Sequence, residues 1–242
     1  INTGPQGTNF YITSDLDLCT AIHNYSPQFT DDPKFVVSVN QPSINFISAA
    51  DMIDFDSLSF NFEKPLQSLT DTVIWSSGFA YNMPFSVYWP TGYNKANGPQ
   101  PGASPPIGLY FDIENGYLIF TPTDTLQTVM CIVVKEWRKD MSGKHKQIGE
   151  IRREINLIVK VFPNNNPPLL NGASNYTVCA GTQICFTITS DDKQFIPPPP
   201  AKANPLDTVS LTWNRGIPGA TFNIVNPKAR LQAGKFCWTP DE

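Results

Sequence analysis

Gly116-Tyr117-Leu118-Ile119-Phe120-Thr121-Pro122-Thr123 and Gly234-Lys235-Phe236-Cys237-Trp238-Thr239-Pro240 are two writings of one short strand: a glycine, an apolar run and a Thr-Pro stop. In a strand every second side chain shares a face, and proline ends the hydrogen-bond ladder. The segments before them correspond as well. Ile44-Asn45-Phe46, Asp51 and Asp56-Ser57-Leu58-Ser59-Phe60 precede the first. Ile184-Cys185-Phe186, Asp191-Asp192 and Asp207-Thr208-Val209-Ser210-Leu211 precede the second. Gly108-Leu109-Tyr110-Phe111 answers to Gly219-Ala220-Thr221-Phe222 in the same order. The shared order predicts an internal repeat whose first copy alone carries a long insertion, residues 63–107.

Short apolar or alternating runs bounded by turn residues recur at 35–39, 58–62, 129–134 and 155–161. In the last of these, Ile155, Leu157, Val159 and Val161 share one face. Residues 144–154 have a helix-like composition, but Met141-Ser142-Gly143-Lys144 reads as a turn. Residues 129–138 and 149–161 are therefore predicted as a long antiparallel hairpin. Composition agrees, because 23 of the 242 residues are proline, which breaks helix interiors. The 16 Phe, 8 Tyr and 5 Trp supply material for a core. The fold class expected is all-β, in tandem β-sandwich modules.

Charged residues make up only 16% and the net charge is −4 with no strongly basic segment, which argues against nucleic acid as a partner. No run reaches the roughly 18 apolar residues of a membrane helix, so no membrane insertion is expected of this segment. The chain starts at Ile1 without a signal-type segment and reads as a piece of something longer. Two Pro- and Asn-rich stretches, 23–29 and 161–168, read as joints. Residues 1–23 are expected to hold the closing strand of a preceding module and a linker. Residues 24–163 form one complete module with the aromatic-rich insertion. Residues 164–242 form a second module that stops before its last two strands.

Asn24-Tyr25-Ser26-Pro27-Gln28-Phe29, Gly116-Tyr117-Leu118-Ile119-Phe120-Thr121-Pro122 and Ile148-Gly149-Glu150-Ile151-Arg152-Arg153-Glu154-Ile155, taken with Asp207 to Phe222 and Gly234 to Pro240, resemble a known family. They are similar to the tandem immunoglobulin-like or cadherin-like repeats of large surface adhesins of gliding bacteria. The resemblance covers most of residues 9–242. It implies export by the type IX route, an extracellular or cell-surface location, and a role in adhesion or gliding motility. The family writes Asp-Pro-Asp-Gly-Asp-Ser-Leu where this chain has Asp51-Met52-Ile53-Asp54-Phe55-Asp56-Ser57-Leu58. Phe55 thus takes the place of a glycine suited to a tight, positive-φ ion loop.

No CxxC pair exists, and only His23 and His145 could join cysteines at a metal, so structural zinc is not expected. Cys131, within Val129 to Val134, reads as a buried small hydrophobe. In an immunoglobulin-like sheet Cys185 and Cys237 face outward on neighbouring strands, within disulfide reach, and Cys179–Cys185 is the rival pairing. The repeat places Asn45 and Ile119 at the matching positions of the first module. Calcium, a cation wanting six to eight oxygens, has candidates in Asp51, Asp54 and Asp56 beside Asn24. A second set is Asp191 and Asp192 with Asn164, Asn165 and Asn166. The commoner use of such residues is in Asx-turns. Trp75, Tyr81, Trp89 and Tyr93 offer a glycan platform, against the ordinary role of large aromatics as core cover.

Asp112, Glu114 and Glu136 offer the material for a catalytic carboxylate pair, yet Asp112-Ile113-Glu114-Asn115-Gly116 reads more plainly as a turn. No nucleophile elbow or phosphate loop occurs, so the chain is expected not to be an enzyme. Expected partners are neighbouring modules of the same long chain, surface polysaccharide and other cell-surface proteins. The alternative reading is a carbohydrate-binding module of a secreted polysaccharide-degrading enzyme. Pro167 and Pro168 fix φ and push Asn166 toward an extended conformation, which predicts a stiff joint that sets the modules end to end. Small-angle scattering from the 242-residue chain should then show an elongated particle, and a compact side-by-side one would contradict the reading.

Overall fold

The chain divides into two units, Ile1–Val161 and Phe162–Glu242. The computed structural model describes residues 11–33, 36–162, 165–173, 175–196, 199–200, 205–213 and 215–241. The Asn164–Pro168 joint and the Pro197–Pro200 run lie partly outside the described residues. So do Asn9 and Phe10, with which the strand expected of a preceding module begins.

The first unit contains β1 (Ser14–Leu16), β2 (Gln28–Phe29), β3 (Val36–Ser38), β4 (Ser43–Phe46), β5 (Ala49–Ala50) and β6 (Ser57–Glu63). It continues with β7 (Tyr110–Phe111), β8 (Tyr117–Phe120), β9 (Leu126–Lys139) and β10 (His145–Lys160). The one helical turn described is a 3-10 turn at Lys95–Asn97 in the insertion. The long hairpin forms as the alternation predicts, with β9 and β10 antiparallel and Ile155 opposite Met130. β6 pairs with the other edge of β9, and β3 runs parallel to the end of β10. A second sheet has the order β4-β8-β7, and β2 pairs with β5. Thus β6, β9 and β10 answer to strands C, F and G of a sandwich, with the first strand, β3, joined to their sheet, and β4, β7 and β8 answer to B, D and E. This is the strand scheme of an immunoglobulin-like fold.

One core lies between the sheets. Met130, Ile132 and Val134 of β9 and Leu157 of β10 pack with Leu118 and Phe120 of β8. The insertion contributes Phe85, fully buried, whose ring meets that of Phe120 at 4.7 Å. Cys131 and Val133 face the other side of β9 and are buried too. Burial pushes the Cys131 thiol up to about 12, so it behaves as the small hydrophobe expected. Ser14–Leu16, given above to a preceding module, is found on the first unit, antiparallel to Gly149–Ile151 of β10.

The second unit holds β11 (Leu169–Asn171), β12 (Ile184–Asp191), β13 (Thr221–Ile224) and β14 (Ala233–Trp238), in the order β11-β12-β14-β13. The antiparallel pairing β12·β14 repeats β4·β8. The register corrects one detail of the repeat. Cys185 stands opposite Cys237, but Ile119 stands opposite Ile44, and Asn45 opposite Leu118. Asn45 is buried while Ile44 and Phe46 are exposed. The true counterpart of Cys185 is therefore Ile44, one residue earlier, since a slip of one residue reverses the facing of a strand.

Cys185 and Cys237 are bonded, with Cα atoms 4.2 Å apart and a sequence separation of 52, and Cys179 is a free, exposed thiol. Phe236 is the one buried hydrophobic residue described in this unit, within a chain of ring contacts that joins Tyr176, Phe186 and Trp213. A unit with so little buried apolar surface depends on its cross-link. Unreduced peptide mapping should return Cys185 and Cys237 in one linked pair. Replacing both by serine should lower the second unit's stability by roughly 3–4 kcal/mol in denaturant titration, from the chain entropy of the opened loop.

Candidate functional site

Continuing the inward alternation of Met130, Ile132 and Val134 by one step brings Glu136 into the end of the sandwich. Its side chain is fully buried. A glycine makes the room. Gly149 lies opposite Glu136, just after a bulge in β10, and a Cβ there would meet Glu136 Oε2 at 2.3 Å. The Asn24 amide donates to Oε2 at 2.9 Å, and Oε1 has no hydrogen-bond partner among the described residues.

The loop between β5 and β6 brings two further carboxylates to the same place. Asp51 Oδ1 accepts from the N–H groups of Ile53 and Asp54, both at 3.1 Å, and Oδ2 accepts from the Asp56 N–H at 3.0 Å. These bonds wind the loop so tightly that Phe55 adopts φ 57°. The positive φ that favours glycine is therefore present here on a phenylalanine, which is strained, and the tight loop forms all the same. One oxygen each of Asp51, Asp56 and Glu136 lie within 4.8 Å of one another.

Arg138, two residues beyond Glu136, closes the outer side. Its Nε donates to Asp56 Oδ1 at 2.8 Å and Oδ2 at 3.1 Å, its Nη2 also reaches Asp56, and Asp54 lies 3.2 Å away. It further donates to Asn24 Oδ1 at 2.9 Å and the His23 carbonyl at 3.4 Å. The hydrogen bonds to Asp56 hold the guanidinium in its charged form. Burial, reinforced by the charges of Asp51 and Asp56, pushes the Glu136 carboxyl above its ordinary range, against the Asn24 bond.

Of the residues proposed for calcium, Asp51 and Asp56 come together with Glu136. Asp54 turns to Arg138 and to the Tyr25 N–H at 2.8 Å. In the second unit Asp192 is buried and Asp191 half-buried in the strand end facing Leu169. Asn165 makes an interaction of its own, and Asn166 donates to the Lys193 carbonyl. Among the described residues no three acidic, His or Cys ligand atoms gather there. Glu136 enters the sequence reading only as a candidate catalytic carboxylate, and Arg138 and Gly149 carry no motif that marks them as site residues. The alternation of β9 is the signal that finds Glu136 and Arg138.

The aromatic residues of the insertion, Trp75, Tyr81, Trp89 and Tyr93, are all half-buried. Trp89 packs on the core and lies so close to Gly108 that a Cβ there would meet its ring at 2.7 Å. Tyr93 tilts against Trp89 at 5.5 Å and donates to the Gly98 carbonyl, while the Lys95 ammonium sits 5.4 Å from the Trp89 ring. These rings brace the insertion. Asp112 accepts from the N–H groups of Glu114 and Asn115, the turn expected of that stretch.

No family profile matches the chain, and no curated protein is similar to it. Among solved structures it is similar to the crystal structure of Dpr2 Ig1-Ig2 in complex with DIP-Theta Ig1-Ig3, at 10% identity, covering 89% of this chain and 87% of that chain. The TM-score is 0.22, and the immunoglobulin-like assignment rests on the strand scheme above.

Two substitutions probe the site's construction. Phe55→Gly should raise stability by about 0.5–1 kcal/mol, the relief of a left-handed L-residue less the added freedom of the unfolded glycine. Phe55 is 66% exposed, so little packing is lost. Gly149→Ala should cost about 1–3 kcal/mol by overpacking against Glu136. Chemical denaturation of each variant reads both.

Proposed function

We propose that this chain is a non-enzymatic structural and adhesive segment of a large bacterial cell-surface or secreted protein, of the gliding or adhesion filament kind. The observation that carries the reading is the repeated pairing, β4·β8 in one unit and β12·β14 in the next, which makes the chain a tandem of like modules. Tandem sandwiches extend a filament while each module folds on its own contacts. The Cys185–Cys237 bond suits an oxidising, extracellular setting. The buried carboxylates beside Arg138 lie at the end of the sandwich rather than in an open cleft, which fits an enzyme poorly. Neighbouring modules of the same chain are its first partners, with surface polysaccharide and other cell-surface proteins beyond them. The second reading, a carbohydrate-binding module, has less support because Trp89 and Tyr93 are engaged in packing.

Antibodies raised against the 242-residue chain should label intact source cells or their secreted material, and cells lacking the gene should adhere or glide less. Labelling confined to lysed cells would overturn the reading.

A further inference from the structure

The acidic cluster of the first unit is built for something the protein's own groups do not supply. We propose that Asp51, Asp56 and Glu136 bind a hard divalent cation of calcium's size inside the end of the sandwich. Four observations carry this.

The three carboxylate oxygens lie within 4.8 Å of one another. Oxygens bound to one calcium at 2.3–2.6 Å can stand at most about 4.6–5.2 Å apart, so this spacing suits calcium. Magnesium holds its ligands at 2.0–2.1 Å, which caps their separation near about 4.2 Å and asks the cluster to contract. Calcium's irregular coordination also tolerates ligands from a loop and a strand, with second carboxylate oxygens and water completing the shell.

Glu136 is fully buried, yet its Oε1 has no partner among the described residues. An oxygen taken from water and left unbonded is costly, and a cation at this point would satisfy it. The space is constructed rather than accidental. The bulge at Gln147–Gly149 and the bare backbone of Gly149 leave room for the carboxylate.

Charge points the same way. Asp51, Asp54, Asp56 and Glu136 face one guanidinium, Arg138, and Arg138 is turned toward Asp54 and Asp56. Among the described residues Asp51 and Glu136 have no ion-pair partner of their own. Arg138 becomes a tethered competitor that shares Asp56 with the bound ion.

The test is calorimetric titration and melting of the full 242-residue chain in chelator, calcium chloride and magnesium chloride. Calcium should bind with measurable heat and raise the melting temperature of the first unit by about 5–10 °C at a hundred times the dissociation constant. Magnesium should give a smaller shift. Glu136→Gln keeps the side chain's shape, removes one ligand charge, and should weaken calcium by roughly tenfold or more. In chelator that variant should melt no lower than wild type, because it sheds a buried negative charge. Wild-type protein that shows neither heat nor a shift with calcium overturns the proposal, as does an undiminished calcium shift in Glu136→Gln. Should the variant not fold, the wild-type titration decides alone.

Discussion

The register of β9 against β10, with Ile151 opposite Val134 and Ile155 opposite Met130, determines which side chains of both strands enter the sandwich. Because the side-chain period in a strand is two, a slip of one residue would bring Cys131, Val133 and Lys135 inward and carry Ile132 and Val134 out. β6 and β3 are hydrogen-bonded to the outer edges of this pair, so they inherit its register. The opposite sheet then closes on the same apolar stripe through Leu118 and Phe120. The register also sets where the stripe ends. Beyond Val134 the next inward position is Glu136, and the polar cluster begins there because the apolar alternation stops there.

Much of this was legible in the sequence, and the failures are as physical as the successes. The hairpin could be read because its alternation is long and its turn residues unambiguous. The repeat could be read because order and terminus were both shared. Ile44-Asn45-Phe46 and Ile184-Cys185-Phe186 match in residue type but differ by one position in facing, which residue type alone does not reveal. A buried Asn45 between exposed Ile44 and Phe46 inverts the usual expectation of which residues point inward. Phe55 misled in a related way. Its residue type argued against a left-handed conformation, yet three backbone bonds to Asp51 and Asp56's hold on Arg138 impose it. Local propensity lost to a set of contacts that overdetermine the loop. The bulge before Gly149 left no sequence signal beyond the glycine itself.

The two units solve the same folding problem with different means. The first has a broad core of side chains from both sheets and an insertion that supplies Phe85 to it. The second, among its described residues, holds its sheet with a line of half-covered aromatic rings and a covalent link between β12 and β14. The link joins outward-facing positions, so it takes no space from the rings on the inner face. In the first unit the equivalent outward pair is Ile44 and Ile119, where no bond is available and none is needed.

At the end of the first sandwich three costs fall within a few residues of one another. Phe55 carries backbone strain, Glu136 is a buried carboxylate with an oxygen unbonded, and Gly149 weakens a strand to make room for it. A leucine at 136 and an alanine at 149 would serve packing better than what is present. Sequences that satisfy local rules everywhere else violate them where another requirement is met. Arg138 and Asn24 lessen the electrostatic cost without removing it, since they bond Asp56, Asp54 and only one oxygen of Glu136. What the arrangement gains in exchange is a set of inward-turned oxygens held at fixed spacing by a rigid strand on one side and a wound loop on the other. Such preorganisation has no purpose in a core that only packs, and it is what a hard cation requires of its ligands.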